Sequence, residues 1–223
     1  MSDSLRRYVP EQIAAQVMSG QELHARESEV SVLFVDLRGY TAYAEDKSAA
    51  EVFSTVNSYT ALVSRIVRAH GGTVVEFNGD GMMAVFGAPA ALAQKERAAV
   101  AAGREIVLSV RSLALGVRYE QPLEVGVGIA TGKAFVGNIQ SVDRFIWSAI
   151  GDTSNLAARL QGLSRELNAA IVIDSATRMK AGSVADDFER HDGMPIRGRH
   201  QSEDIYTLSL SSRMFPTSTY RAG

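Results

Sequence analysis

The sequence predicts an α+β fold: a βαββαβ core followed by a shorter C-terminal αβ extension. Three observations carry that reading. Glu29 to Leu37 alternates and then becomes fully apolar, the pattern of a central strand buried in a sheet. Thr73–Phe77 and Met82–Phe86 flank Asn78-Gly79-Asp80-Gly81, whose Asn-Gly and Asp-Gly steps signal a hairpin. Helical periodicity fills the stretches on either side, over residues 46–70 and 92–113.

The elements follow in order. Leu5, Tyr8, Val9, Ile13, Val17 and Met18 space an amphipathic helix over 4–18, opened by Pro10, within an N-terminal arm spanning 1–27. The main domain covers 28–210. Its first helix, 46–70, is apolar at Ala50, Phe53, Val56, Tyr59, Leu62, Val63, Ile66 and Val67, and Gly71-Gly72 stops it. After the hairpin and the alanine-rich helix 92–113, Leu123 to Thr131 is a strand, and Ala134 to Ile139 a further strand or arm. The order through residue 131 is the ferredoxin-like split unit.

Phe145 to Ile150 is short and extended. Asp152 to Leu167 is a helix with Asp152, Thr153 and Ser154 as capping candidates. Ala170 to Ile173 is a strand, a short helix lies near 175–181, and Phe188 to Leu210 forms two antiparallel strands. The tail, 211–223, is polar and expected to fray.

Composition narrows the function classes. The formal net charge of −2 over 223 residues gives no basic field to capture nucleic acid. The absence of cysteine excludes disulfides, thiolate nucleophiles and iron–sulfur ligation. No apolar stretch reaches transmembrane length and no signal-peptide core is visible, so direct membrane insertion is not expected and the expected location is cytoplasmic.

The chemistry centres on Asp36 and Asp80. Each follows a run of β-branched and aromatic residues, and each is close to a glycine. In a βαββαβ topology the first strand lies beside the hairpin, which brings both carboxylates to one edge of the sheet. Such a pair holds two Mg²⁺ or Mn²⁺ ions that clamp the attacking and leaving oxygens of a displacement at phosphorus. The Leu37 carbonyl adds a possible ligand. The amides from Arg38 through Gly39, Tyr40 and Thr41 open toward a helix and form a phosphate cradle. Alone, either aspartate reads as an ordinary turn residue; together they point to phosphoryl or nucleotidyl transfer.

Phe34-Val35-Asp36-Leu37-Arg38-Gly39-Tyr40-Thr41, Gly79-Asp80 and Ile150-Gly151-Asp152-Thr153-Ser154-Asn155-Leu156-Ala157-Ala158-Arg159-Leu160 together resemble the class III nucleotidyl cyclases, the adenylate/guanylate cyclase catalytic domain. The resemblance covers about residues 28–210. It implies that Asp36 and Asp80 are metal ligands for two Mg²⁺ or Mn²⁺ per active site. It implies that Asn155 orients the ribose and that Arg159, with its fixed charge and planar donors, stabilises the α-phosphate. Arg197 sits where the family places a basic residue on the terminal phosphates, and Arg199 is the alternative in that loose register. The reaction implied is attack of the ribose 3′-hydroxyl on the α-phosphorus of a nucleoside triphosphate, with loss of pyrophosphate.

The resemblance also implies a head-to-tail homodimer in which Asp36 and Asp80 of one chain face Asn155, Arg159 and Arg197 of the other. Glu76 and Ser148 occupy the base-specifying positions, with Glu76 serving the site opposite to its own Asp80. A carboxylate accepts from guanine N1–H and N2–H₂, and a serine donates to O6. Adenine offers an acceptor at N1, so a carboxylate there is left unsatisfied at a cost of roughly 1–3 kcal/mol or more. The reading therefore leans to GTP and cGMP, with ATP and cAMP as the alternative and a catalytically silent cyclase-like regulatory domain as a further one. Segment 133–147, with Phe135, Phe145 and Trp147, is either a dimer arm or ordinary core. A diguanylate cyclase is rejected because the hairpin reads Asn78-Gly79-Asp80-Gly81-Met82. Gly126-Val127-Gly128-Ile129-Ala130-Thr131-Gly132 has glycine spacing one residue too long for a dinucleotide motif and no helix after it, so it is expected to be a glycine-rich strand that approaches the nucleotide or a partner chain.

Overall fold

The computed structural model of the chain describes residues 13, 25–115, 123–140 and 145–209. The helix expected over 4–18 lies outside them except for Ile13, and the tail 211–223 lies outside them altogether.

The first strand, β1 (Arg26–Leu37), is longer than the sequence pattern showed and starts inside the expected arm. It lies inside the sheet, antiparallel to β3 on one side and β4 on the other. Its two faces explain its apolar run. Val30 and Val32 bury into one core, while Leu33, Val35 and Leu37 bury into another. Asp36 falls on the face of Val30 and Val32.

The expected helix 46–70 is α2 (Ala49–Ala69), preceded by a separate short helix, α1 (Tyr40–Glu45), that the sequence pattern did not show. The break is chemical. Ser48 caps α2 by accepting from the Glu51 N–H, and the Glu51 carboxylate accepts from the Ser48 N–H, a reciprocal box that fixes a new helix start. Strands β2 (Thr73–Asn78) and β3 (Gly81–Phe86) form the expected hairpin. Its two central residues are Gly79 and Asp80, and Gly79 supplies the positive φ of +64° that the tight turn requires. Helix α3 (Lys95–Leu115) then covers the first core together with α2.

The two pieces expected over 123–131 and 134–139 are one strand, β4 (Val125–Gln140). Gly132 does not interrupt it: the residue pairs with Val30 in the ladder, and its missing side chain makes room for Thr153. Strand β5 (Phe145–Ile150) folds back on the far end of β4 and also packs against β2. Helix α4 (Asp152–Glu166) lies across the second core. It starts at Gly151 without a side-chain cap, because the expected capping residues are engaged elsewhere. The Thr153 hydroxyl donates to Lys133 O, the Ser154 hydroxyl donates to Ala149 O, and Asp152 pairs with Arg199.

Strand β6 (Ile171–Asp174), helix α5 (Ser175–Ala181), a short 3₁₀ turn (Gly182–Ala185), β7 (Glu189–Met194) and β8 (Glu203–Leu208) complete the chain. The sheet order is β2-β3-β1-β4-β6-β8-β7, with β5 on β4. The run β2-β3-β1-β4 is the expected split-unit order, so the α+β core stands as read. Gly126 and Gly128 face α4. A Cβ on Gly128 would sit 2.1 Å from the Gln161 backbone nitrogen, so the glycine lets α4 rest directly on β4. Among the described residues no helix is long and apolar enough to cross a membrane.

Candidate active site

The end of β1 and the tip of the β2–β3 hairpin bring Asp36 and Asp80 together. They line a cleft of about 290 Å³ with Phe34, Glu76, Asn78, Met83 and Gln161. Asp36 is half-buried, and the two carboxyls lie within hydrogen-bonding reach. Burial first, then the hydrogen bond and repulsion from Asp80, push Asp36 up to about 6; Arg165 pulls the other way. Two adjacent carboxyls are a hard, oxygen-rich donor set whose mutual repulsion a divalent cation would relieve, so these residues fit Mg²⁺ or Mn²⁺. Among the described residues no third carboxylate or histidine joins them as a metal cluster. The Leu37 side chain points into the first core, which leaves only its carbonyl as a potential ligand.

Beyond Leu37 the chain turns at Gly39, whose φ is +68° and which precedes α1 without side-chain capping. Tyr40 packs on the first core and Thr41 is exposed. Glu76 is exposed and shares the cleft with Asp80. Ser148, half-buried on β5, stands opposite Gly137 of β4. Because β5 packs against β2, the strands bearing Glu76 and Ser148 are neighbours within one chain.

Asn155 and Arg159 lie elsewhere. Neither lines the cleft, which α4 reaches with Gln161 instead. Asn155 is exposed in the first turn of α4. The Arg159 guanidinium lies against Gly198, where an added Cβ would come within 3.0 Å of Nη2. That contact places Arg159 beside the loop of Arg197 and Arg199. Arg197 is exposed and makes no hydrogen bond or ion pair among the described residues. Arg199 is engaged by Asp152 at 2.7 Å and Glu203 at 2.9 Å, and those carboxylates raise its pKa further. The chain thus carries two separate clusters, an acidic one at the hairpin and a basic one at α4 and the 197–199 loop. Of the arm aromatics, Phe135 is 56% exposed and Trp147 is buried in the second core.

Several participants had no local sequence signal. Gln161 reaches the cleft only because α4 crosses β4. Arg38 reaches across the fold to the carbonyls of Ser164 and Ala169. Tyr59, fully buried on α2, feels the charges of Asp36 and Asp80, which add to burial in raising its pKa.

Residues 23–210 match the family described as the adenylate and guanylate cyclase catalytic domain. A guanylyl cyclase structure, Cya2, is 31% identical with a TM-score of 0.72, over 84% of this chain and 99% of that one. The adenylyl cyclase CyaB from P. aeruginosa is 28% identical with a TM-score of 0.74, over 87% of this chain and 100% of that one. Adenylate cyclase 1 of Rhizobium meliloti is 26% identical over 90% of this chain and 31% of its own length. The chain spans about a third of the length of the curated relatives it matches. Fold, motif order and the matched span agree, and the chain belongs to the adenylate and guanylate cyclase catalytic domain family.

Proposed function

We propose that the chain converts a purine nucleoside triphosphate to its 3′,5′-cyclic nucleotide and pyrophosphate, in a homodimer whose sites are shared between chains. The observation that carries this is the separation of two complementary clusters on one chain. Among the described residues no arginine or lysine lines the Asp36–Asp80 cleft, Arg165 acting on Asp36 only through space, and the carboxylates nearest the Arg159–Arg197 cluster, Asp152 and Glu203, are paired with Arg199. A head-to-tail second copy supplies each half with the other. The exposed Phe135, Ile139 and Ile150 on the β4–β5 arm support such a contact.

Asp36 and Asp80 would hold two Mg²⁺ or Mn²⁺ ions, which supply Lewis-acid charge at the reacting phosphate when bound. The chain's own groups do the rest. Asn155 orients the ribose, so that its 3′-oxygen is aligned with the α-phosphorus. The new P–O bond forms as the bond to the β-phosphate oxygen breaks, and the hydroxyl proton passes to water. Arg159 donates its planar fork to the charge growing on the α-phosphate. Arg197, free of carboxylate partners among the described residues, takes the terminal phosphates. Arg199 is occupied by Asp152 and Glu203 and holds the loop instead. The backbone of Gly39, Tyr40 and Thr41 adds amide donors for the phosphates.

Glu76 and Ser148 read the base. In this reading they serve the site opposite to their own Asp80, where a carboxylate favours the N1–H and N2–H₂ edge of guanine, which makes GTP the preferred substrate. ATP is the second reading, since structures similar to this chain include adenylyl as well as guanylyl cyclases. Initial rates with GTP and ATP, in Mn²⁺ and then Mg²⁺, test both points. A GTP rate several-fold above ATP supports the base assignment. Cyclic product from neither nucleotide rejects the activity.

A further inference from the structure

We propose that Arg38 is a positioning residue that ties the metal-bearing end of β1 to the C-terminal end of α4, and so sets two different active sites of the dimer at once. The proposal rests on the shared-site reading above. Arg38 lies two residues beyond Asp36. Its backbone N–H donates to Glu124 O at 2.8 Å, which extends the β1–β4 ladder past Leu37. Its Nη2 donates to Ser164 O at 3.0 Å and also to Ala169 O.

Those two carbonyls belong to the last turn of α4 and the loop that leaves it. Helix ends carry carbonyls with no partner inside the helix, and the negative end of the helix dipole favours a cation. Arg38 answers both needs from a different element of the fold. The tie has little slack. Ser164 and Ala169 are almost completely buried, and Ser164 is wedged against Gly126 of β4. The Arg38 Nε is buried without a partner among the described residues. Ser164 O also accepts from the Ala169 N–H at 2.9 Å, so a guanidinium that swung toward water would strand the buried Ala169 carbonyl and leave Ser164 O with that one donor. Glu124 favours its charge, while burial and the nearby Arg165 oppose it.

The same helix carries Asn155 in its first turn and Arg159 at its middle. Arg159 is five residues from Ser164, about 7.5 Å along a stiff helix axis. In the head-to-tail dimer, Asp36 of a given chain works in one site and Arg159 of that chain works in the other. A single side chain thus fixes the metal half of one site and the phosphate half of its neighbour. Misplacing a reacting group by about 1 Å costs on the order of 10²-fold in rate.

Mixed dimers isolate the two effects. Pairing an Arg159→Ala chain with an Asp36→Ala chain leaves one competent site, whose carboxylates come from the first chain and whose arginine comes from the second. Arg38→Leu is then placed in one chain at a time, and Mn²⁺ dependence and kcat are measured well below the melting temperature. In the carboxylate-donating chain we expect a shift of about ten-fold in half-saturating Mn²⁺. In the arginine-donating chain we expect kcat to fall about ten-fold or more, with half-saturating Mn²⁺ unchanged. Arg38→Lys, which keeps the charge and one donor group, recovers part of each. A loss seen only in the carboxylate-donating chain overturns the tie, as does full activity from both placements or a loss that merely follows the melting temperature. Inactivity of the mixed dimer with Arg38 intact strikes instead at the shared site itself.

Discussion

At the scale of single residues the acidic pair is the most sensitive point. Asp36→Ala or Asp80→Ala should reduce cyclic-product formation to background while leaving the circular dichroism spectrum unchanged; retained turnover in either contradicts the metal assignment. The pair also makes a pH prediction for the metal-free protein. Asp36 is pushed up to about 6 when folded, from an ordinary value of 3.8, chiefly by burial. A raised carboxyl binds its proton more tightly in the folded state than in the unfolded one. Its favourable contribution is therefore complete below the ordinary value and is lost as pH rises through about 6. The melting temperature of metal-free protein relative to Asp36→Asn should fall between pH 5 and pH 7, and Mn²⁺ should reverse the fall. A difference that does not change with pH contradicts the shift. The adjacency of Asp36 and Asp80 was legible in the sequence, because strand order alone puts a β1 end beside a β2–β3 turn. Arg38 and Gln161 were not. Their partners lie more than a hundred residues away or depend on where one helix crosses a sheet, and neither leaves a local pattern.

At the scale of elements, α4 is the piece on which most of the site depends. It carries Asn155 and Arg159, sends Gln161 into the cleft, and rests on β4 through Gly126 and Gly128. Gly128→Ala puts a Cβ within 2.1 Å of one α4 backbone atom and 2.3 Å of another. Helix backbone cannot rotate away as a side chain can, so the change should destabilise by about 1–3 kcal/mol or more and reduce turnover. Gly162→Ala is the matched opposite. It lies exposed in the same helix, with nothing within 4 Å of its added Cβ, and should stabilise by roughly 0.5–1 kcal/mol. Urea unfolding of both variants checks the pair, and equal effects contradict the close-approach account. The glycines were visible in the sequence as a spaced cluster, but what they approach was not. Spacing records that a Cβ is unwelcome and does not say which element excludes it. Caps were misread for a related reason: α4 starts at Asp152 as expected, but Thr153 and Ser154 spend their hydroxyls on β4 and β5 carbonyls, and Ser48 with Glu51 opens α2 three residues beyond the expected start.

At the scale of the whole molecule, the acidic cleft and the arginines near Gly198 are distinct clusters, which the proposed function reads as two half-sites. The ferredoxin-like order placed both carboxylates correctly, and the motif at Asn155 and Arg159 marked the second cluster. The geometry then separates them: the acidic cleft sits at the hairpin edge and meets α4 at Gln161, whereas Arg159, two residues earlier on the helix, lies against Gly198. It also distinguishes two arginines that sequence left equivalent, since Arg199 is held by Asp152 and Glu203 while Arg197 is not. The central claim is that function needs a second copy. The most direct measurement mixes purified Asp36→Ala and Arg159→Ala chains, each inactive alone, and follows cyclic-nucleotide formation with Mn²⁺. Exchange of subunits should restore activity in the mixture, approaching one competent site per mixed dimer. Proven mixed dimers that remain inactive would contradict a site shared between chains.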